Sequence, residues 1–318
     1  MASIRAGVAK WFMRRLRGFA SRYFSDIIKL RKEKEKWFAR LYPPRGVHFE
    51  NVTVAGMAAQ WCYPPAGKDK HPEQVIYYIH GGGFASCSPH SHWGIIGKFA
   101  LEMGIKVFAP DYRLAPEHPF PAAMDDVTAV YKWLLQTYEP HNIIVMGDSA
   151  GGGLSMSMLL NLRQLGLPQP LTAAIFSPWV DLTMSGESIA TKEAEEPLLP
   201  VPIARQWAKW YVGDNEANNP MISPIFADLN DLCDILVHVG TSEILLSDSI
   251  SLHKAAENTN TKIELLVWEE MFHVWHMAWR TVPEGQKAIT EVIAYLQRQI
   301  DMQLRRQSET ANFNNLQE

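Results

Sequence analysis

A chain of 318 residues can form one large domain or two small ones and bury roughly 75% of its unfolded surface. Hydrophobic residues at 47% and charged residues at 20% exclude a disordered, collagen-like or polytopic membrane protein. A net charge of -4 gives no reason to expect a nucleic-acid partner, and Cys62, Cys87 and Cys233, odd in number and far apart, fit neither a disulfide framework nor a zinc site. A reducing, cytoplasmic compartment is expected.

The first 40 residues hold 12 Lys and Arg against 3 acids, so the basic start is balanced by an acidic remainder. Ile4, Val8, Trp11, Phe12, Leu16, Phe19 and Tyr23 recur at helical spacing, with Lys10, Arg14, Arg17 and Arg22 mostly off that stripe. The pattern predicts a basic amphipathic helix. Its apolar face could pack on the rest of the protein, rest on an anionic membrane surface, or belong to a transit peptide; packing is the expectation, with peripheral membrane contact as the alternative. No stretch approaches the ~20 apolar residues needed to span a bilayer.

Beyond Pro43-Pro44, apolar runs alternate with helical patterns, as in a parallel sheet with crossover helices, so the fold class is α/β. Strands are expected at Val75 to Ile79, Lys106 to Ala109, Asn142 to Met146, Ala173 to Phe176, Ile235 to Val239 and Ile263 to Trp268. Helices are expected at Ala122 to Tyr138, Gly151 to Leu165, Ser247 to Asn258 and Glu284 to Arg305. The alternation lapses between Thr183 and Pro220, which reads as a lid or cap insertion.

Gly147-Asp148-Ser149-Ala150-Gly151 lies between a predicted strand and a predicted helix, the setting in which a GxSxG turn projects a nucleophilic serine. His80-Gly81-Gly82-Gly83-Phe84 follows another strand and offers unencumbered backbone N–H groups. Gly82, Gly83 and Ala150 are therefore the expected oxyanion donors. His90 and His92 form an HxH pair with no third ligand apparent, so no metal site is expected.

HGGGF, the run Asp111-Tyr112-Arg113-Leu114-Ala115-Pro116-Glu117, GDSAGG and Ser177-Pro178-Trp179-Val180-Asp181 occur in that order, and together the chain resembles the hormone-sensitive lipase family of α/β-hydrolase esterases. The resemblance covers roughly Val75 to Tyr295. It implies an α/β-hydrolase fold with an eight-stranded, mostly parallel sheet. A cap would be built from residues 1–45 and the 183–220 insertion, on a catalytic domain spanning 46–318. It also implies hydrolysis of a small-molecule carboxylic ester with no cofactor, and a brace on the HGGG loop from Tyr112.

A triad needs an acid and a histidine after the serine, each at a strand end. His273 stands where the family places its base; His276 is its rival, while His238 in a strand and His253 in a helix read as structural. Glu243 stands where the family more often has aspartate, with Asp248 as the competing acid. Asp148, Glu117, Asp125, Asp126 and Asp181 read as loop tethers. Phe84, Trp93, Trp207, Trp210 and Tyr211 are candidate substrate contacts, although Ile203, Trp207 and Tyr211 could equally pack the cap. The expected activity is hydrolysis of short- to medium-chain esters, with lactone opening or deacetylation as the alternative and a non-catalytic receptor disfavoured by His273. The sequence leaves the oligomeric state open, and an oligomer is compatible with it.

Overall fold

The structure, a computed structural model, describes residues 2–22, 26–38 and 42–315. Two helices come first, α1 (Ile4–Arg22) and α2 (Ile27–Phe38). The strands are β1 (His48–Val54), β2 (Met57–Tyr63), β3 (Val75–Ile79), β4 (Lys106–Pro110), β5 (Ile143–Asp148), β6 (Thr172–Phe176), β7 (Asp234–Gly240) and β8 (Ile263–Trp268). Between and after them run α3 (Trp93–Met103), α4 (Ala122–Leu134), α5 (Ala150–Gln164), α6 (Ser188–Thr191), α7 (Val201–Val212), α8 (Leu246–Ala256) and α9 (Pro283–Asn315).

The eight strands form one sheet in the order β1-β2-β4-β3-β5-β6-β7-β8, parallel from β4 to β8, with β1 and β2 antiparallel at one edge. Strand side chains alternate between the two faces. Val75, Tyr77 and Ile79 of β3 join a core shared with α4, α5 and α8, whereas Ile76 and Tyr78 join a second core under α3 and α9. A parallel sheet covered on both faces needs apolar residues at every position, and β3, β5 and β6 are buried throughout.

The six predicted strands are present, and β1 and β2 are additions. They pair through a two-residue turn, Ala55-Gly56, in which both residues have positive φ. α3 is also additional. Nearly all of it is buried, so its sequence lacks the polar face that marks an amphipathic helix. The 183–220 segment contains α6 and α7.

The N-terminal stripe is a correction. The face of α1 that packs is made of the small residues Ala6 and Ala9 together with Met13, and with Ala2 just before the helix it lies against Met271, Phe272 and Trp275. Ile4, Val8 and Trp11 point away from the body, 88%, 60% and 55% exposed, while Phe12, half exposed, lines the cavity described below. Small side chains let the helix axis come close, which the larger stripe would prevent. Ser3 accepts the Ala6 N–H and donates to Glu284, and Lys10 donates to the Glu270 carbonyl, which ties the helix start to the body. Tyr23 lies outside the described residues, as do the side chains of Leu16, Arg17, Phe19 and Arg22. Among the described residues no helix is long and apolar enough to cross a membrane.

Candidate active site

Ser149 sits between β5 and α5 at φ 53° and ψ −123°, a conformation that L residues rarely adopt. Its N–H donates to the Phe176 carbonyl and its own carbonyl accepts from Trp179, so backbone on the β6 side holds the turn. Gly151 is required there: a Cβ would stand 2.1 Å from the Ile79 carbonyl oxygen.

The Ser149 hydroxyl lies 2.9 Å from His273 Nε2, and His273 Nδ1 lies 2.9 Å from Glu243 Oε2. With Nδ1–H donating to the carboxylate, Nε2 is left to accept the serine proton. Glu243 is fully buried after β7, and its Oε1 accepts from the Gly240 N–H at 2.7 Å and the Ser177 hydroxyl at 2.8 Å. Ser177 in turn accepts the Val274 N–H, next to the histidine. Burial disfavours a charged His273, but the Glu243 hydrogen bond and charge, with Glu196 and Asp148 behind them, leave its pKa raised above the ordinary value.

The rival groups lie elsewhere. Asp248 Oδ2 accepts the Val180 and Asp181 N–H groups at 3.0 and 2.9 Å. His276 Nε2 is 3.0 Å from His238 Nδ1, and burial lowers the pKa of both rings. His253 Nδ1 donates to the Ile263 carbonyl. His92 is ion-paired with Asp148, which also accepts from Tyr78 and the Gly81 N–H and so ties the glycine loop to the serine turn. No cluster of metal-ligating side chains occurs among the described residues.

Gly82 has φ +127°, and a Cβ on it would strike the Ser86 carbonyl oxygen at 2.0 Å. The Gly82 carbonyl accepts the Ser86 N–H at 3.0 Å and its hydroxyl at 2.8 Å. Fixing that oxygen fixes the trans peptide plane, so the Gly83 N–H must point to the opposite side. Tyr112 donates to the His80 carbonyl at 2.7 Å and stacks on the His80 ring, bracing the start of the loop. Ala150 opens α5, where the first N–H groups have no intrahelical acceptor.

A cavity of about 430 Å³ holds Ser149, His273, Gly82 and Gly83 in its wall, with Leu30, Leu198, Leu199, Ile203, Trp207 and Phe272 among its apolar lining. A wider depression, lined by Pro140, Leu171, Cys233 and Asp234 at the starts of β5, β6 and β7, is remote from this chemistry.

Of the five aromatic residues expected at the substrate, only Trp207 lines the cavity. Phe84 turns inward, stacked on Tyr211 with ring centroids 3.9 Å apart. Tyr211 falls one helical turn beyond Trp207 and is buried, and Trp210 packs against the same core. Trp93 donates to Gln60 and stacks on Phe49, away from the serine. Sequence reasoning missed Ser177, Lys34 and Glu196. Glu196 is a buried carboxylate whose oxygens accept the Leu198, Leu199 and Ile244 N–H groups, joining the insertion to the loop that carries Glu243.

The family model described as the alpha/beta hydrolase fold matches residues 76–277. The solved structure of an esterase from the bacterial hormone-sensitive lipase family superposes with a TM-score of 0.86 at 33% identity, covering 94% of this chain and 99% of that one. The chain belongs to the hormone-sensitive lipase family of α/β-hydrolases. This hydrolase is also 38% identical to an acetyl-hydrolase of Streptomyces hygroscopicus, over 81% of its own length and 85% of the relative's. It is 34% identical to an esterase of Acinetobacter venetianus, over 80% and 84%. A structure of EstE5 soaked with p-nitrophenyl butyrate superposes on the hydrolase with a TM-score of 0.85 at 35% identity, covering 94% of this chain and 100% of that one.

Proposed function

We propose that this carboxylic ester hydrolase works through Ser149 as nucleophile, His273 as general base and Glu243 as the carboxylate that orients and stabilises the imidazolium. The Ser149 oxygen bonds to the ester carbonyl carbon as its proton passes to His273 Nε2. The carbonyl electron pair moves onto oxygen and is met by the N–H groups of Gly82, Gly83 and Ala150. Collapse expels the alcohol, protonated by His273, and leaves an acyl-serine. Water, deprotonated by the same imidazole, then releases the acid. The scheme needs neither a metal nor an organic cofactor.

The observation that carries this reading is the unbroken hydrogen-bond chain from Glu243 through His273 to Ser149. Ser149→Ala or His273→Ala is expected to lower kcat on an activated ester by ~10⁴-fold or more, and near-wild-type turnover by either variant would overturn it.

A cavity of about 430 Å³ with an apolar lining suits short to medium acyl groups. Rates on p-nitrophenyl esters of rising chain length should therefore peak below the long-chain range, and a preference for emulsified long-chain triglyceride would contradict this. The acetyl-hydrolase relative favours deacetylation as the second reading. Residues 1–45 and 183–220 act together as a cap, since α1, α2 and the 197–207 stretch supply much of the cavity wall. The exposed apolar stripe of α1, flanked by Arg5, Arg14 and Arg15, suits peripheral contact with an anionic lipid surface by an otherwise cytoplasmic enzyme. Binding to anionic but not zwitterionic vesicles, lost in Trp11→Glu, is the expected outcome; no pelleting with anionic vesicles would remove that role.

A further inference from the structure

The wall of the catalytic cavity carries a cation that the ester-hydrolysis scheme does not use. Lys34, on α2, is half-buried and lines the cavity together with Ser149, His273 and the oxyanion glycines. Its ammonium donates to the Ser86 hydroxyl at 3.0 Å and lies 4.4 Å from the centre of the Trp207 ring. Both of those partners are neutral.

The nearby acids are engaged elsewhere. Glu35 takes the Ser88 hydroxyl and His90, Glu33 pairs with Lys36, and Asp148 pairs with His92. Among the described residues no carboxylate is ion-paired with Lys34. An ammonium taken partly out of water without an ion-pair partner is costly, and burial lowers its pKa against the opposing effects of Cys87 and the Glu35 charge. An anion entering the cavity would supply that counter-charge where water screens it poorly.

Position decides which part of a substrate could meet it. Ser86 donates its own hydroxyl to the Gly82 carbonyl, so two hydrogen bonds join the ammonium to that carbonyl of the glycine loop. Trp207, on which the ammonium rests, covers Gly83 so closely that a Cβ there would lie 2.0 Å from the ring. The ammonium and Ser149 thus line one cavity, whose wall also carries the apolar Leu30, Ile203 and Trp207, and acyl-chain length reads out the spacing between the two.

We infer that the cavity accepts esters bearing a second, free carboxylate, and that Lys34 is the specificity residue that recognises it. This deepens the esterase reading and rests on it. The substrates so recognised are monoesters of dicarboxylic acids, which hydrolysis would convert to the dicarboxylate and the alcohol.

The test compares monoethyl succinate with ethyl 4-methylpentanoate, and monoethyl adipate with ethyl 6-methylheptanoate. In each pair the carboxylate is replaced by an isopropyl group of the same shape. The readout is the ratio of kcat/KM, anionic over neutral, in the wild-type full chain, Lys34→Met and Lys34→Arg. A purely structural task for Lys34, such as holding Ser86, would slow both members of a pair alike and leave the ratio unchanged, and the ratio is also insensitive to partial misfolding. The expected result is a fall of at least about fivefold in Lys34→Met at one or both chain lengths, with Lys34→Arg keeping most of the wild-type ratio. A smaller change at both lengths, or a wild-type enzyme that hydrolyses the neutral esters but not the anionic ones, would overturn the assignment. Failure of the wild type on the neutral esters would instead strike at the esterase reading itself.

Discussion

Ser149 is strained, and the strain has a use: only a residue at φ 53° between β5 and α5 lifts its hydroxyl out of the sheet toward His273. Around it the polar groups are divided by task. Glu243 faces His273 with one oxygen and is held by Ser177 and the Gly240 N–H with the other. Replacing its carboxylate by an amide keeps the shape but lets the imidazole adopt the wrong tautomer, so Glu243→Gln is expected to lower kcat by ~10³–10⁴-fold while the fold survives; steady-state kinetics and melting temperature check the two halves. The carboxylates around His273 raise its pKa against the opposing effect of burial. Because the base must be neutral to take a proton, raising its pKa moves the loss of activity to higher pH. The acid limb of the kcat/KM profile should therefore have its midpoint above the ordinary histidine value of ~6.5, and a midpoint at or below ~6 would contradict the assignment. Ser149, His273 and the glycines were legible because motif and strand-end position coincide. Ser177 was not: its task depends on a backbone twist at φ 47° that puts its hydroxyl between two distant loops.

Among the elements, α2 grips the segment that follows the glycine loop. Arg31 donates to the Ala85 and Ala115 carbonyls at 2.8 Å each and pairs with Glu117, while Glu35 accepts from Ser88. These bonds tie the helix to the segment that follows the glycine loop. Arg31→Ala removes charge-assisted bonds worth ~1.5–3 kcal/mol each at most, part of which solvent screens at the exposed Glu117 end. A melting temperature lowered by several degrees and a kcat reduced more than KM is changed are the expected results, with Arg31→Lys restoring only part because it cannot reach both carbonyls in one plane. Unaltered kcat would separate α2 from the proposed oxyanion role of the glycine loop. The helical period of α1 was legible, yet its packing face was not, since hydrophobic size and buried side are different properties. Close approach selected alanine, and Ile4, Val8 and Trp11 were left outside.

At the scale of the whole molecule, the parallel core is the part that sequence pattern reveals best. Strands buried on both faces read as continuous apolar runs, and β3 falls on its predicted limits, as does the half-exposed edge strand β8. β1 and β2 escape that rule because they form an antiparallel edge: β1 shows mostly exposed positions and polar residues such as Glu50, Asn51 and Thr53. The cavity aromatics escaped for a related reason. Phe84 and Tyr211 stand close to the site in sequence, but their bulk serves the core between the sheet and α7. What the fold as a whole achieves is convergence: the ends of β5, β7 and β8 carry serine, acid and histidine to one point from 94 and 30 residues apart along the chain.

That convergence can be tested by covalent trapping. The native protein is treated with diethyl p-nitrophenyl phosphate and examined by intact mass and peptide mapping, with residual esterase activity followed in parallel. A single diethylphosphoryl adduct on Ser149, formed in step with loss of activity and absent from His273→Ala under the same conditions, is the expected result. Full esterase activity with no adduct on Ser149, or inactivation by an adduct at another residue, would contradict the account.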